Sequence, residues 1–258
     1  MKSYLQRLQK IFPYTWIEQL QCMHFNLLST WIRLRRSQPL TFNQKSAMVF
    51  SPHQDDETLG CGGMIAYKRE YGIPVIVVFL TDGQGSAVAV PNAANTLIEI
   101  REQEAREALA ILGVEPSKIH FLSQLDGSLQ YLNYENKQQI ISQLAELIQH
   151  YQPEEVYVPH QKDSHRDHEA TYQLVKTAIA QTSIRVELLQ YPIWLFWRAP
   201  LFILLKLEDI AAAYCFSIAS VQEKKARAIA CYKSQTQNLP RGFIKRFLVS
   251  YEIFFKVE

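Results

Sequence analysis

The chain has 258 residues, 48% of them hydrophobic and 20% charged, and a formal net charge of +2. This length and composition are typical of one globular domain and unlike those of a disordered or fibrous protein. The small net charge argues against a nucleic-acid partner. Four cysteines, none in a CxxC pair, indicate neither a disulfide framework nor a thiolate zinc site. We therefore expect a reducing, cytoplasmic location.

No segment has the pattern of a signal peptide or of a membrane-spanning helix. The longest apolar candidates are residues 11–34 and 192–207, and charged residues interrupt both of them. A span needs about 20 mostly apolar residues. Both segments are nevertheless unusually aromatic.

The predicted elements alternate between strand and helix after an amphipathic helical extension at residues 1–40, which is broken at Pro13. Continuous apolar runs predict strands, and 3.6-residue periodicity predicts helices. The strands are expected at 47–50, 73–80, 118–122, 155–160 and 186–194. The helices are expected at 62–71, 96–113, 135–150, 168–180 and 222–235. This alternation predicts an α/β domain over residues 41–258, with a mostly parallel sheet and helices on both faces.

Two clusters of histidine and acidic residues directly follow two of the predicted strands. The first is FSPHQDDETLGCGG at 50–63, and the second is PHQKDSHRDHEAT at 159–171. Because the carboxyl ends of parallel strands meet at one edge of a sheet, we expect both clusters to line the same crevice. Imidazole and carboxylate together suit zinc or another first-row divalent metal.

A catalytic metal site needs three protein ligands and one open position. His53 and Asp56 are three positions apart in a predicted turn, so they can face one point, and His168 at the start of a later helix is the expected third ligand. Asp55 lies beside this ligand set and outside it. We expect Asp55 to act as the general base toward water.

The remaining members of the two clusters are expected to assist the reaction or to support the metal site. His165 would donate a proton or stabilise an oxyanion, and Asp167 would hold an imidazole in orientation. His160 is a candidate for supporting the site or contacting substrate, with a satisfied loop histidine as the alternative. Asp82, in TDGQGS at 81–86, follows the second strand and should line the same crevice, where it could contact substrate.

The segment SPHQDDETLGCGG resembles the APHPDDETLGCGG signature of the LmbE/PIG-L family of zinc-dependent N-acetylglucosaminyl deacetylases, and HRDHEAT resembles that family's H-x-D-H motif. The resemblance runs from residue 46 to about 237 and includes RxxExxxAxxxLG at 101–113 and KxxAxxxYxSQ at 225–235. It implies a Rossmann-like fold, a zinc cofactor and the metal-binding and catalytic roles assigned above. It also makes Arg101 a candidate contact to sugar or phosphate, with a solvated pair to Glu104 as the alternative.

The chain departs from the family pattern at two positions. Gln54 replaces the usual proline, which removes a restraint on the turn. Asp163 stands where some members have a tyrosine, two positions before the first histidine of the second motif, so assistance to the oxyanion from a tyrosine is not expected. The glycines at 60, 62 and 63 match no phosphate-binding motif. We interpret them as sites of tight packing between their helix and the sheet.

We expect a metal-dependent hydrolase that removes acetyl from an N-acetylglucosamine unit of a larger molecule. The alternatives are a catalytically silent sugar-binding or scaffold protein on the same fold, and a nucleotide-binding Rossmann protein. Residues 1–36 carry six Lys and Arg against one acid among many apolar side chains, and residues 191–207 add two tryptophans. These segments predict either helices that cover the sheet or a peripheral surface for anionic membrane, which would suit a lipid-linked sugar.

Overall fold

The structure is a computed structural model that describes residues 14–34, 43–85, 91–198 and 212–257. Its helices are α1 Tyr14–Leu34, α2 Asp56–Glu70, α3 Pro91–Leu112, α4 Tyr134–Tyr151, α5 Arg166–Gln181, α6 Leu195–Arg198, α7 Gln222–Ile229, α8 Lys233–Thr236 and α9 Arg241–Lys245. Its strands are β1 Ala47–Ser51, β2 Val75–Thr81, β3 Ile119–Gln124, β4 Glu155–Pro159, β5 Glu187–Tyr191, β6 Ala213–Ser217 and β7 Tyr251–Lys256. The expectations for residues 1–13, 35–40 and 199–207, including the break at Pro13 and the boundary at 40/41, lie outside the described residues.

The strands of the described ranges form one sheet in the order β3-β2-β1-β4-β5-β7-β6. The first five run parallel, whereas β7 is antiparallel to both β5 and β6. The chain moves from β1 outward to β3 and then returns to build β4 and β5 on the other side. The strand order therefore reverses between β1 and β4, which is where an open α/β sheet forms its crevice. The predicted α/β class is confirmed.

Helices cover both faces of the sheet. Alternate residues of each strand point to opposite sides, so each strand contributes to two separate cores. Val49 of β1 belongs to a core with α2, α3 and α7, whereas its neighbour Phe50 belongs to a core with α4 and α5. Both β1 and β2 are buried along their whole length. Burial on two faces explains why these strands are continuous apolar runs instead of alternating ones.

Helix α1 packs on the edge of the sheet formed by β6 and β7. Leu28 and Ile32 join a separate core cluster with α6 and with Phe255 of β7. The carboxylate of Glu18 accepts a hydrogen bond of 2.9 Å from the backbone amide of Gly242. None of the helices in the described ranges has enough length and apolar character to traverse a bilayer.

Helix α2 begins at Asp56, six residues before its predicted start, and thus contains the whole glycine-rich stretch. A Cβ at Gly60 would collide with the ring of Tyr191 on β5, and one at Gly63 would overlap Ile218. Close approach to the sheet therefore explains these glycines, and the packing interpretation is confirmed for both. Glycine lowers helix propensity by about 1 kcal/mol, which hid this part of the helix from the sequence pattern.

A buried ion pair is inserted beside α2. Glu252 of β7 accepts hydrogen bonds of 2.7 and 2.8 Å from the backbone amides of Gly63 and Met64. Lys225 of α7 donates to Glu252 at 2.6 Å and to the carbonyl of Leu59 at 2.8 Å. Each charged group thus makes at least two hydrogen bonds away from water, which is the condition under which a buried pair is tolerated. The predicted helix 222–235 is divided into α7 and α8, and strands β6 and β7 were not predicted.

Gly60→Ala is expected to lower the free energy of unfolding by about 1–3 kcal/mol, because the added methyl group overpacks the contact with Tyr191. Gly62→Ala is the matched control, since its Cβ would meet a methylene of Lys225 at 3.2 Å and no aromatic ring. Urea denaturation of both variants measures the difference. Equal stability of the two variants would contradict the assigned packing role of Gly60.

Candidate active site

The two predicted clusters meet at the reversal of strand order. His53, Asp55 and Asp56 occupy the turn between β1 and α2, and His165 and His168 lie between β4 and the first turn of α5. The ring centroid of His53 lies 4.9 Å from that of His165 and 5.4 Å from that of His168. The crevice expected from the sheet topology is therefore lined by both clusters.

The carboxylate of Asp56 is the point where two histidines converge. Its Oδ2 lies 3.0 Å from Nδ1 of His53 and 3.1 Å from Nε2 of His168. All three side chains are buried. Ligand atoms placed about 2.0–2.1 Å from a tetrahedral zinc ion are roughly 3.3 Å apart, so the two distances to Asp56 are close to those between ligand atoms of a metal site.

The hydrogen bonds of His168 test whether a cation fits. Its Nδ1 donates to Asp163 at 2.7 Å, whereas its buried Nε2 has no hydrogen-bond partner although Asp56 is near. In the neutral ring with Nδ1 protonated, the lone pair of Nε2 faces a carboxylate oxygen, and a cation between the two atoms removes this repulsion. The residues present therefore fit a divalent ion.

Without an ion, protons take its place. Burial alone would lower the pKa of His168, but the charge of Asp56 and the hydrogen bond to Asp163 outweigh it and raise the pKa to about 9. The pKa of His53 is also raised well above its usual value, because hydrogen bonds to carboxylates outweigh burial. The same charges that bind a proton here would bind a metal ion.

The other nitrogen of His53 faces two more carboxylates. Its Nε2 lies 3.2 Å from Asp126 and 3.3 Å from Asp167. Asp167 also accepts from the backbone amides of Gly127 and Leu129, so it is held in place. An acceptor behind a ligand imidazole selects the tautomer that leaves the opposite nitrogen free for metal. This is the contact expected of Asp167, whereas Asp126 carried no sequence prediction.

Among the described residues, two groups of possible ligand atoms have all their members within 4.8 Å of one another, and neither group contains Asp56. One joins His53, His165 and His168, and the other joins His53, Asp126 and Asp167. The second group supplies one nitrogen among carboxylates that already accept other hydrogen bonds. The Asp56-centred set combines two imidazoles with one carboxylate, as catalytic zinc sites do, and it places a carboxylate 3.1 Å from the buried Nε2 of His168.

Asp55 is held beside the metal set by a strained backbone. Its φ of 147° lies in the region that side-chain-bearing residues rarely adopt, and its amide donates to the carboxylate of Glu57 at 3.1 Å. Glu57 is buried and also accepts from the hydroxyls of Thr58 and Tyr232. Burial, followed by the charge of Asp56, raises the pKa of Asp55 to about 8. Glu57 and Tyr232 therefore support the candidate base, although neither was assigned a role from the sequence.

Asp163 connects His168 to the loop that follows β5. Besides His168, its buried carboxylate accepts hydrogen bonds of 2.9–3.0 Å from the backbone amides of Ile193, Trp194 and Leu195. It therefore fixes both the tautomer of His168 and the loop after β5. The sequence reveals its nearness to the histidines, but these amide partners are about 30 residues away.

The three substrate-binding candidates are placed differently. Arg101 is buried, donates to the carbonyl of Gly83 and lies 3.7 Å from Asp126, which brings it to the edge of the site. The alternative for Arg101, a solvated pair with Glu104, is wrong, because Glu104 is buried and binds Ser234.

Asp82 and His160 contact neighbouring parts of the fold. Asp82 accepts from the backbone amides of Gln84 and Asp126 and so shapes the loops around the crevice. His160 is only 3% exposed, and its ring packs edge-on against Phe255 at 4.7 Å. Direct contact of either side chain with substrate stays a prediction.

Comparison with known proteins gives a family match across both clusters. The model of PIG-L, described as GlcNAc-PI de-N-acetylase, matches residues 48–179. The chain is 33% identical over 136 residues to the uncharacterized deacetylase YaiS of Escherichia coli K12. This alignment covers 50% of the chain and 65% of that protein. It is 32% identical over 108 residues to the diacetylchitobiose deacetylase of Thermococcus kodakarensis, which covers 42% of the chain and 39% of that protein.

A solved structure is similar over most of the fold. The conserved protein TT1542 of Thermus thermophilus aligns with a TM-score of 0.62 and 25% identity, and the alignment covers 83% of this chain and 94% of that one. The sequence matches are shorter, since the chain spans less than two thirds of the length of the two curated relatives.

Binding of a zinc ion is expected to release at least one proton per ion at neutral pH, because both imidazoles carry raised pKa values in the ion-free site. The affinity should weaken as the pH falls below about 9, since protons then compete for His168. Isothermal titration calorimetry in two buffers of different ionisation enthalpy measures the release. An ion that binds without releasing protons would not be bound through these histidines.

Asp163→Asn is expected to weaken zinc binding by about 10- to 100-fold. The amide oxygen can keep accepting from the loop after β5, but the amide NH₂ then faces Nδ1 of His168 and favours the tautomer whose Nε2 carries the proton. Competition with a chelator measures the affinity, and circular dichroism checks the fold. Unchanged affinity in a folded variant would remove Asp163 from the site.

Proposed function

The chain belongs to the PIG-L family, and from that membership we propose that it is a metal-dependent amidohydrolase that removes acetyl from an N-acetylglucosamine unit of a glycoconjugate. The observation that carries the proposal is the convergence of His53 and His168 on Asp56, with Asp55 held just outside this set. The names of the family model and of the Thermococcus relative both refer to N-acetylated sugars as substrates of those proteins, which supports the substrate class.

His53, Asp56 and His168 would hold the ion. We propose zinc first, although two nitrogens and one carboxylate also accept other divalent first-row metals. A bound ion would supply Lewis-acid polarisation of the acetamide carbonyl and acidify the attacking water. A cation on Asp56 would also offset the like-charge effect on Asp55, lowering the pKa of Asp55 toward the ionised form that a base requires.

The chain's own residues would carry the proton transfers. Asp55 takes a proton from the attacking water as the oxygen of that water bonds to the acetamide carbon. His165 donates a hydrogen bond to the carbonyl oxygen as negative charge develops there. The C–N bond then breaks as the proton held by Asp55 passes to the departing amine, and acetate and the free amino sugar are the products. Asp126 and Asp167 keep the ring of His53 in place throughout.

The main alternative is a catalytically silent sugar-binding or scaffold protein on the same fold. A silent protein has no need of a base, yet Asp55 is kept in a strained backbone conformation by a buried Glu57–Tyr232 pair. Strain of this kind is typical of functional sites and costs about 1–3 kcal/mol. A nucleotide-binding protein is disfavoured because the glycines that would form a phosphate loop lie inside helix α2 and are packed against Tyr191, Lys225 and Ile218.

Asp55→Asn is expected to lower acetate release from N-acetylglucosamine conjugates by about 10²- to 10⁴-fold while the metal content stays unchanged. Asparagine keeps the size of the side chain and tolerates a positive φ, so only the base is lost. The assay measures acetate released from diacetylchitobiose and from lipid-linked N-acetylglucosamine. Glu146→Gln, an exposed acid-to-amide change on α4, is the control and should keep full activity.

Two results would contradict the proposal. A metal-loaded protein that releases acetate from neither conjugate would favour the silent alternative. Unchanged turnover in Asp55→Asn would show that another group acts as the base.

A further inference from the structure

Arg246, which directly follows α9, has a buried side chain surrounded by aromatic rings. Only 6% of the residue is exposed. Its Cζ atom lies 4.3 Å from the ring centroid of Phe243 and 4.4 Å from that of Phe247. The rings of Trp197 and Phe25 lie 5.8 and 5.9 Å away. These rings attract the cation, but they do not replace the oxygen acceptors that a buried guanidinium requires.

Two donor atoms of the Arg246 guanidinium have no hydrogen-bond partner among the described residues. They are Nε and Nη2, and both are buried. Their N–H groups point the same way along one edge of the planar guanidinium. This edge is the fork to which the two oxygens of a carboxylate bind in parallel. Since buried donors without a partner are rare in native proteins, the unmet fork indicates a ligand with two acceptor oxygens.

Arg246 also lines a cavity of about 40 Å³. The other lining residues that bear on a ligand are three phenylalanines and one ion pair, namely Phe25, Phe196, Phe247, and Lys225 with Glu252. A single buried water needs about 10–15 Å³ in the same measure, so the cavity has room for one small organic anion. Phe25, Val249 and Tyr251 of the lining are only partly buried, which places one side of the cavity near solvent.

The acids near Arg246 are bound to other groups. Glu252 pairs with Lys225 at 2.6 Å and accepts from two backbone amides of α2. Asp163 accepts from His168 and from the loop after β5. Burial lowers the pKa of Arg246 to about 9, and the charge of Asp163 offsets only part of this effect. At neutral pH the guanidinium is therefore a cation that no carboxylate of the described residues pairs with directly.

We propose that this cavity binds a small carboxylate, held by Nε and Nη2 of Arg246 with its apolar part against the phenylalanine rings. A single negative charge matches the one unpaired cation. Chloride lacks the two parallel acceptor atoms that the fork matches. Phosphate would bring further charge and oxygens into a largely aromatic lining. None of the candidate metal ligands lines the cavity, and the site does not depend on the proposed function.

The tryptophans of residues 191–207 lie near this site. In the described part of that segment, Trp197 is only 5% exposed, and the ring of Trp194 stacks on Phe243 at 4.3 Å. Both tryptophans therefore pack within the fold, next to the rings that surround Arg246. Contact of this segment or of residues 1–36 with a membrane stays a prediction.

Thermal denaturation of the zinc-loaded full chain tests the proposal, with sodium acetate as the probe. The Tm in about 100 mM acetate should exceed that in the same concentration of sodium chloride by about 3 °C or more, because a ligand of the folded state stabilises it. The rise should saturate with acetate concentration, which distinguishes a site from a general salt effect. Absence of a saturable rise would overturn the proposal.

Two substitutions of Arg246 separate its charge from its fork. Arg246→Met removes both and should abolish the acetate-dependent rise. Arg246→Lys keeps the charge without the fork and should weaken acetate binding by about tenfold. Lys245→Met is the matched control, since it removes one exposed positive charge at the adjacent position. It should keep the full rise.

The remaining outcomes each count against the site. Acetate bound at the zinc ion would raise the Tm of Arg246→Met as much as that of the intact protein, which would overturn the proposal. An equal saturable rise with chloride, or a larger Arg246-dependent rise with phosphate, would overturn the carboxylate assignment. If Arg246→Met does not fold, Arg246→Lys decides, and unchanged acetate affinity in it would contradict the fork. These measurements need no turnover, so their failure is distinct from failure of the proposed activity.

Discussion

The buried carboxylate of Asp163 is the interaction on which the rest of the candidate site depends. It accepts one hydrogen bond from His168 and others from three consecutive backbone amides after β5. An ionised carboxylate with several donors is stable inside a protein, because the bonds replace its lost hydration. The orientation of His168 is thereby linked to the backbone of a neighbouring strand connection. Nε2 of His168 in turn faces Asp56, whose carboxylate also lies beside His53.

A second set of buried polar contacts supports the acidic turn between β1 and α2. Glu57 accepts hydrogen bonds from Tyr232 and from the backbone amide of Asp55. Glu252, paired with Lys225, accepts from two backbone amides in the middle of α2. These contacts bring the start of α2 to the site at a cost, since a strained residue and several buried charges are retained. Natural proteins keep such costs mainly where chemistry requires an exact arrangement of groups.

Much of this arrangement could be predicted from the sequence, because the decisive signals were local. Apolar runs on β1 and β2 indicated a buried parallel sheet, and the acidic and histidine clusters directly followed strands. Asp126 also follows a strand, β3, at the same edge, so the same reasoning could have found it. Its polar partners are single residues in other loops, and one isolated aspartate gave no pattern.

The remaining features depended on long-range contacts that no local pattern contains. Tyr232 reaches Glu57 across 175 positions, and Glu252 reaches Gly63 across 189. The strand β7 was not predicted, and no local pattern contains its antiparallel pairing with β5, which joins Leu189 to Lys256. The exposed apolar side chains of α1 were visible in the sequence as composition only, since periodicity does not tell which of two apolar faces the fold will cover.

The position of β7 in the sheet determines when the sheet can be completed during synthesis. Although it is the last strand of the described chain, β7 lies between β5 and β6. During synthesis, β6 therefore emerges without its neighbour and has no sheet to join until β7 has been produced. The same strand carries Glu252, so the helix that leads out of the acidic turn gains its buried support only at that moment. A ribosome-bound chain that stops before β7 would hold the residues of both clusters and still lack a finished site.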